Sequence, residues 1–524
     1  MMALTLLLHH FRFFYHNALQ HRKFSWTSWK LLFLAAGFVL ACLILFTYSA
    51  TTGEPRFLDS ALGADNRKNT LGGSEKISTS DNGDPNGSAN ACFVDLDLLR
   101  THADNASTVE YARLTIGVVR TDNFTAFEDS LDIAIPPYRT LNLDTKATRE
   151  PLQSKDDYCT TAVTIQAPLP QPPPDASHMI FGVATTLEKL EDSLDAITHW
   201  AARTNAHIVA VVEQGGSSTR SRIQNRAEIL GLRITITQTE DDRWDRYFSL
   251  VRVLYQYHDD EKTQWAVLMD DDTFFPSMRN LIARLATYDA TSLQYIGAMT
   301  EDLARLSGTG YMAYGGAGIF LSLPLLSDLQ YVFETCHSLK DKGDRMLASC
   351  IYAHSTAKFT WERGLYQLDI HGDASGFFES GRSLPLSVHH WKSWFHADMV
   401  ALGKVASICG DECLLRRFYL SKSKDWFLVN GYSVIQDATI WNEPRPMEQT
   451  WEGSKYKGSD PFAYSLGPLR RRDPDKVSLR LRDVRVNGMA MEKGNETISQ
   501  IYVLNGTDEK PPRVLEVAWT VLQG

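Results

Sequence analysis

From residue 178 onward, apolar runs of strand length alternate with stretches of helical spacing, and this alternation restricts the fold more than any other feature of the chain. HMIFGVAT (178–185), AHIVAVVEQ (206–214) and WAVLMDDD (265–272) read as buried strands. Between the first two, LEKLEDSLDAITHWAART (187–204) puts Leu190, Leu194, Ile197 and Trp200 on one helical face. RAEILGLRITITQT continues as helix then strand, and YFSLVRVLYQYH (247–258) as helix. Strands separated by helices bury both faces in a mostly parallel sheet, so the expected fold class is α/β with helices on both faces. Ligands of such sheets bind beyond the carboxyl ends of the strands, and there the third strand ends in three acids. Pro276 reads as the first-turn residue of the next helix.

The flanks read differently. Residues 1–30 hold Arg12, Arg22, Lys23 and Lys30 and no acid, and an uncharged run of 18 residues, LLFLAAGFVLACLILFTY, follows at 31–48. A membrane-crossing helix needs about 17–25 apolar residues, whereas a signal-peptide core has about 7–15. The expectation is a transmembrane anchor with a cytosolic tail (1–30) and everything beyond it lumenal, although cleavage near Ser49-Ala50 stays open. Residues 49–90, rich in Gly, Ser, Asn, Asp and Thr, read as a stem. Residues 91–177 read as a small β-rich module closed by the polyproline linker APLPQPPPDAS. The α/β unit would occupy 178–425 and a separate β-rich module 426–524.

Five Asn-X-Ser/Thr sequons, at Asn86, Asn105, Asn123, Asn495 and Asn505, lie beyond the apolar run. Of seven cysteines Cys42 lies inside it, and the remaining six permit three disulfides in an oxidising compartment. Neighbour pairing would give Cys92–Cys159, Cys336–Cys350 and Cys409–Cys413; other connectivities and six free thiols stay open. The formal net charge of -10 argues against a nucleic-acid partner, which needs a basic surface.

Four features carry chemistry. Asp270-Asp271-Asp272 places three mutually repelling carboxylates at a strand end, and an oxygen-preferring cation, Mn2+ or Mg2+, would relieve the repulsion. It would join Asp272 to a diphosphate, with Asp270 or Asp271 reaching a ribose or the cation's waters; the bland alternative is a solvated loop or cap. The small-residue run YGGAG, with Gly315, Gly316 and Gly318, lets backbone approach a ligand and turn into a helix, or is an ordinary tight turn. LDIHGDASGFFESGRSLPLSVHHWKSWF (368–395) offers His371, Asp373, Glu379, His389 and His390, and a histidine after a short strand completes many metal spheres. Asp344 in Gly343-Asp344-Arg345 is a candidate base for deprotonating a hydroxyl, or an Arg345-paired helix start.

In order, WAVLMDDDTFF, YIGAM, YGGAGIFLS, GDRMLASC and LDIHGD…PLSVHHW resemble the Fringe-like β-1,3-glycosyltransferases of glycosyltransferase family 31, especially fungal and plant relatives, over roughly residues 178–395. The resemblance implies a nucleotide-diphospho-sugar transferase fold of the GT-A type. It implies a UDP-sugar donor, Mn2+, inversion at the anomeric carbon and a glycan or glycoprotein acceptor. Carried over by position, it makes Asp272 the main metal carboxylate with Asp270 and Asp271 beside it. His389 becomes the metal histidine, Asp344 the base, and Gly315, Gly316 and Gly318 the glycine turn. Animal Fringe proteins have two adjacent acids where this chain has GDR, and residues 49–165 and 426–524 have no counterpart in them. Together with the apolar run, the resemblance implies a single-pass type II protein of the Golgi membrane.

Two rival readings exist. Haloacid-dehalogenase phosphatases need Asp-X-Asp-X-Thr or Val, and Phe274 two places after Asp272 breaks that spacing. A non-catalytic sugar-binding protein on the same fold is the alternative that a UDP-sugar hydrolysis assay with Mn2+ and with EDTA separates.

Overall fold

The computed structural model describes residues 92–152, 160–395, 397–438, 446–453, 462–487 and 496–522. The apolar run at 31–48, the stem, Asn86, Asn495 and Cys159 lie outside them. Among the described residues no helix is long and apolar enough to cross a membrane.

The alternating region forms a seven-stranded sheet. Its strands are β1 (Met179–Ala184), β2 (His207–Glu213), β3 (Arg233–Thr239), β4 (Trp265–Met269), β5 (Tyr295–Gly297), β6 (Ile319–Ser322) and β7 (Phe359–Trp361). They lie in the order β7-β5-β6-β4-β1-β2-β3. The pairs within β4-β1-β2-β3 and the pair β5-β7 are parallel, whereas β6 is antiparallel to both neighbours, so the α/β sheet is mixed. All five residues of β4 are buried, as a central strand covered on both faces requires.

Local signals set the helix starts. Thr186 caps α1 (Leu187–Ala201) by accepting the Lys189 N–H, and Asp242 caps α2 (Arg243–Tyr257) by accepting from Trp244 and Asp245. Leu190, Leu194, Ile197 and Trp200 are buried as their spacing required. Trp200 packs on Phe181 and Phe275 with ring centroids 5.1 and 5.0 Å apart, locking α1 beneath the end of β4. Pro276 does not begin the next helix: that helix is α3 (Met278–Leu285), and Ser277 caps it by accepting the Asn280 N–H at 3.3 Å. A serine oxygen satisfies a free helical donor, which proline leaves unaddressed, so the chain starts two residues later. IFLS after the glycines is strand β6 rather than a helix, all four residues being buried between β4 and β5.

The two flanking β-rich stretches are not separate modules. Thr108–Thr121 pairs in parallel with Arg513–Val521 at the heart of one ten-stranded sheet. The same sheet takes in Arg417–Leu420, from within the span assigned to the α/β unit. The alternating apolar residues of YARLTIGVV do bury one face, but a strand's period does not say which distant strand completes the ladder. Cross-strand polar contacts seal the junction: the Tyr111 hydroxyl donates to Glu516 at 2.6 Å, and Arg513 pairs with Glu110 at 2.9 Å. Disulfides join Cys336 to Cys350 and Cys409 to Cys413.

A buried ion network ties the sheet to the α/β unit. Lys476, on the segment entering strand Val477–Asn487, reaches Glu379 at 3.0 Å and also pairs with Glu448, and the three side chains are 4–5% exposed. Arg480 pairs with Asp373 at 2.7 Å and with Glu379 at 3.6 Å. Asp373 and Glu379, noted in the sequence beside the histidines, thus serve this network. Lys476→Ala strands two buried carboxylates; because Arg480 and Arg470 remain within 4 Å of them, the expected loss is about 3 kcal/mol, near the low end for a broken buried pair. Urea unfolding followed by tryptophan fluorescence checks this, with a lower midpoint at unchanged slope as the expected result.

Candidate active site

From β1 the chain winds outward through β2 and β3, then returns to place β4 on the other side of β1. At such a switch point the connections diverge and leave a crevice at the carboxyl ends of the two strands. Thr185 follows β1 and Asp270-Asp271-Asp272 follows β4, so the acids occupy the crevice floor.

A tight turn aims the acids. The Thr273 N–H donates to Asp270 O at 3.2 Å, and the Thr273 hydroxyl donates to Gly316 O at 2.9 Å while accepting from the Asp270 N–H at 3.1 Å. The next residue, Phe274, exchanges two 2.9 Å backbone hydrogen bonds with Val388. That bridge brings His389, 119 positions beyond Asp270 in the chain, against the acids.

His389 Nε2 lies 2.9 Å from Asp272 Oδ1 and 3.3 Å from Asp270 Oδ2. Its Nδ1 donates to Gln367 O at 3.1 Å, which leaves the Nε2 lone pair aimed at the carboxylates whenever the ring is neutral. Burial disfavours the charged ring, but hydrogen bonds and charge from Asp270 and Asp272 outweigh it and hold its pKa well above the ordinary value. Burial likewise would raise Asp272, yet the His389 hydrogen bond and charge bring it down to about 2. His390, at a left-handed φ of 58°, adds Nδ1 at 4.0 Å from Asp272 Oδ2. Ligand atoms of Asp272, His389 and His390 all lie within 4.8 Å of one another, a mixed oxygen and nitrogen set fit for a divalent cation.

Asp271 faces away from this cluster. Its carboxylate accepts from the Thr185 hydroxyl and lies 3.6 Å from Lys189 Nζ, and burial raises its pKa. The glycines work differently from the expectation. A Cβ on Gly316 would lie 2.2 Å from the His389 ring and one on Gly315 2.3 Å from the Tyr247 hydroxyl, so protein side chains fill the space. Gly318 has φ 88°, the left-handed region where glycine is at ease. Of the three, Gly315 borders a cavity.

Asp344 stands in the first turn of α4 (Gly343–His354). Burial, then the Asp270 charge, push its carboxyl up to about 6. Arg345 does not pair with it but with Asp341, at 2.9 Å. Among the described residues Asp344 has no ion-pair partner, and it lines two adjoining cavities. One, about 590 Å3, holds Thr185, Lys189, Arg243 and the acid triplet; the other, about 1060 Å3, holds Asp302, Arg305, Asp369 and His371. Asp270, Asp344, His389 and Trp394 belong to both. Trp394 stacks with His390 and His371 at 3.6 and 3.9 Å.

Sequence reading brought His389, Asp270, Asp272 and Asp344 together but overlooked Thr185, Lys189, Arg243 and Trp394. The capping residues Thr186 and Asp242 were the available signal, since each marks a helix start beside the crevice.

A family model described as a protein of unknown function, DUF604, matches residues 308–398, which include the glycine turn, Asp344 and both histidines. A search of curated proteins finds no match. Among solved structures, a galactosyltransferase, LgtC, in complex with donor and acceptor sugar analogues is 10% identical over 38% of this chain and 77% of its own, with a TM-score of 0.27. A structure of S. aureus TarS (1–349) is 12% identical over 35% of this chain and 57% of its own, with a TM-score of 0.25.

Gly316→Ala forces the His389 ring to move, because a 2.2 Å contact is far inside van der Waals distance. Mn2+ affinity, measured by calorimetry, is expected to fall about tenfold or more, equivalent to one weakened ligand, while the circular dichroism spectrum is retained.

Proposed function

We propose that this chain is a metal-dependent inverting glycosyltransferase of GT-A type, moving a sugar from a UDP-sugar to a hydroxyl of a glycan or glycoprotein and forming a β-1,3 linkage. The observation that carries the reading is the convergence of His389 on Asp270 and Asp272 at the switch-point crevice, with the uncommitted Asp344 across the shared boundary of two cavities. The five ordered motifs of the Fringe-like resemblance support it independently.

Asp272, Asp270 and His389, joined by His390, would hold Mn2+ or Mg2+. When bound, the cation supplies charge neutralisation for the departing diphosphate. Lys189 and Arg243 place positive charge beside the crevice for the same anion. Asp271, set apart on the Thr185 side, is free to accept from a ribose hydroxyl. Asp344 removes the proton of the attacking hydroxyl; a carboxyl near 6 is ionised at neutral pH yet more basic than an exposed aspartate. The smaller cavity takes the donor and the larger the acceptor. We place the chain in the Golgi membrane, anchored by 31–48 with the described residues lumenal. Exposed sequon asparagines at 105, 123 and 505 and the two disulfides agree with that side of the membrane.

Asp272→Ala is expected to abolish Mn2+-dependent turnover of UDP-Gal, UDP-Glc, UDP-GlcNAc and UDP-GalNAc while leaving the fold intact, since it removes one of two facing carboxylates. Wild-type turnover in that variant, or turnover unaffected by EDTA, refutes the mechanism.

Asp344→Asn is expected to keep UDP affinity and lose turnover by a factor of about 10²–10⁴, the usual worth of a general base. The acidic limb of the wild-type rate follows from the same group. The base works ionised, so kcat/KM falls as pH drops through about 6. Neutralising Asp270 with a cation weakens the second cause of the shift and moves the limb lower, never higher. A limb above pH 7 in a stopped-assay profile contradicts the assignment.

A further inference from the structure

The larger cavity is not built by the α/β unit alone. Two stretches of the C-terminal region, 446–453 and 462–466, are laced onto it by backbone hydrogen bonds. The Glu452 N–H donates to His371 O at 2.8 Å, Leu303 N–H to Ala463 O at 2.9 Å, and Ser465 N–H to Glu301 O at 2.9 Å. Isolated antiparallel bridges pair Gly372 with Trp451 and Asp302 with Tyr464. The Tyr464 hydroxyl donates to Glu452 O at 3.1 Å and its ring meets Trp451 edge-on at 5.4 Å, so the stretches also hold each other. Glu452, Gly453 and Tyr464 line the cavity together with Asp302, Asp369 and Tyr314.

We propose that these two stretches are the acceptor wall of the enzyme and that the acceptor they select is an uncharged glycoside; this rests on the donor reading above. Asp302 and Asp369 are 7% and 4% exposed at their side chains and present carboxylate oxygens to a cavity, the partners that vicinal hydroxyls of a sugar ring satisfy. The rings of Tyr314 and Tyr464 add flat apolar surface for the C–H faces of such a ring. Of the cations lining the cavity, Arg305 is engaged by Asp302 at 3.7 Å and Asp369 at 3.4 Å and Arg345 by Asp341 at 2.9 Å, while Arg243 also borders the donor cavity and Lys342 adjoins Asp344. The two stretches themselves contribute Glu452, Gly453 and Tyr464 to the cavity and, among the described residues, no cation, so this wall favours an uncharged ring over an anionic one. The wall also bears on the metal cluster, because the stretch holding Glu452 fixes His371, whose ring stacks on Trp394, which stacks on His390.

The test uses the purified full chain with Mn2+ and the four UDP-sugars, offering a panel of neutral aryl mono- and disaccharide glycosides beside Ser/Thr peptides. Transfer to at least one glycoside is expected. Glu452→Gln, at an exposed position, and Tyr464→Leu, which removes the flat ring, are then expected to raise acceptor KM by about tenfold. The donor KM should stay at the wild-type value, which a general folding defect would not allow. Transfer to peptides alone, UDP-sugar hydrolysis with no glycoside accepted, or wild-type acceptor KM in both variants overturns the proposal. If the wild-type chain binds no UDP, the donor reading itself fails and takes this one with it.

Discussion

The arrangement of this molecule depends on two carboxylates facing one buried imidazole. Asp270 and Asp272 repel each other by about 3 kcal/mol, taking a spacing of ~6 Å and an effective dielectric of ~20. The strand before them buries Val267, Leu268 and Met269, each contributing roughly 1.5–3 kcal/mol, so the fold tolerates the repulsion without a ligand. His389 converts the leftover cost into a site. With a proton on Nε2 it pairs with both acids; without that proton, the Gln367 carbonyl keeps the lone pair pointed at the same place. The ring holds this position because Phe274 and Val388 exchange two backbone hydrogen bonds and Gly316 leaves room for it.

The same economy appears in the acid across the crevice. Asp344 is not paid in ion pairs, since Arg345 is taken by Asp341, and its proximity to Asp270 raises it rather than stabilises its charge. Asp373, Asp437, Glu379 and Glu448, further back, are each matched by Lys476, Arg480 or Arg470. The paired Asp373, Glu379 and Glu448 hold the β-rich half on the α/β half, whereas Asp270, Asp272 and Asp344, with no Lys or Arg partner among the described residues, converge on the crevice.

Much of the α/β half was legible along the chain. The strands read at 178–185 and 206–214 lie within one residue of their expected places, because short-range periodicity decides them, and the one read at 265–272 ends three residues early, at Met269. Where reading along the chain went astray, a non-local partner was responsible. IFLS became a strand because β4 and β5 flank it, and Ser277 outcompeted Pro276 for the helix start. Gly316 gives way to His389 rather than to a ligand, a fact carried by a residue 73 positions away.

By itself the sequence determined that the middle of the chain is an α/β sheet ending in an acid triplet, with a glycine turn and a histidine to follow, because hydrophobic period and residue chemistry are local properties. Tertiary structure alone decided which acids face His389 and which faces Thr185. It alone decided that Thr108–Thr121 and Thr161–Pro168 share one sheet with Arg417–Leu420 and Arg513–Val521, and that residues near 452 and 464 border the cavity holding Asp344. Each of these is a contact between distant segments, and backbone pairing across such distances follows from the shape of the assembled core rather than from any spacing along the chain.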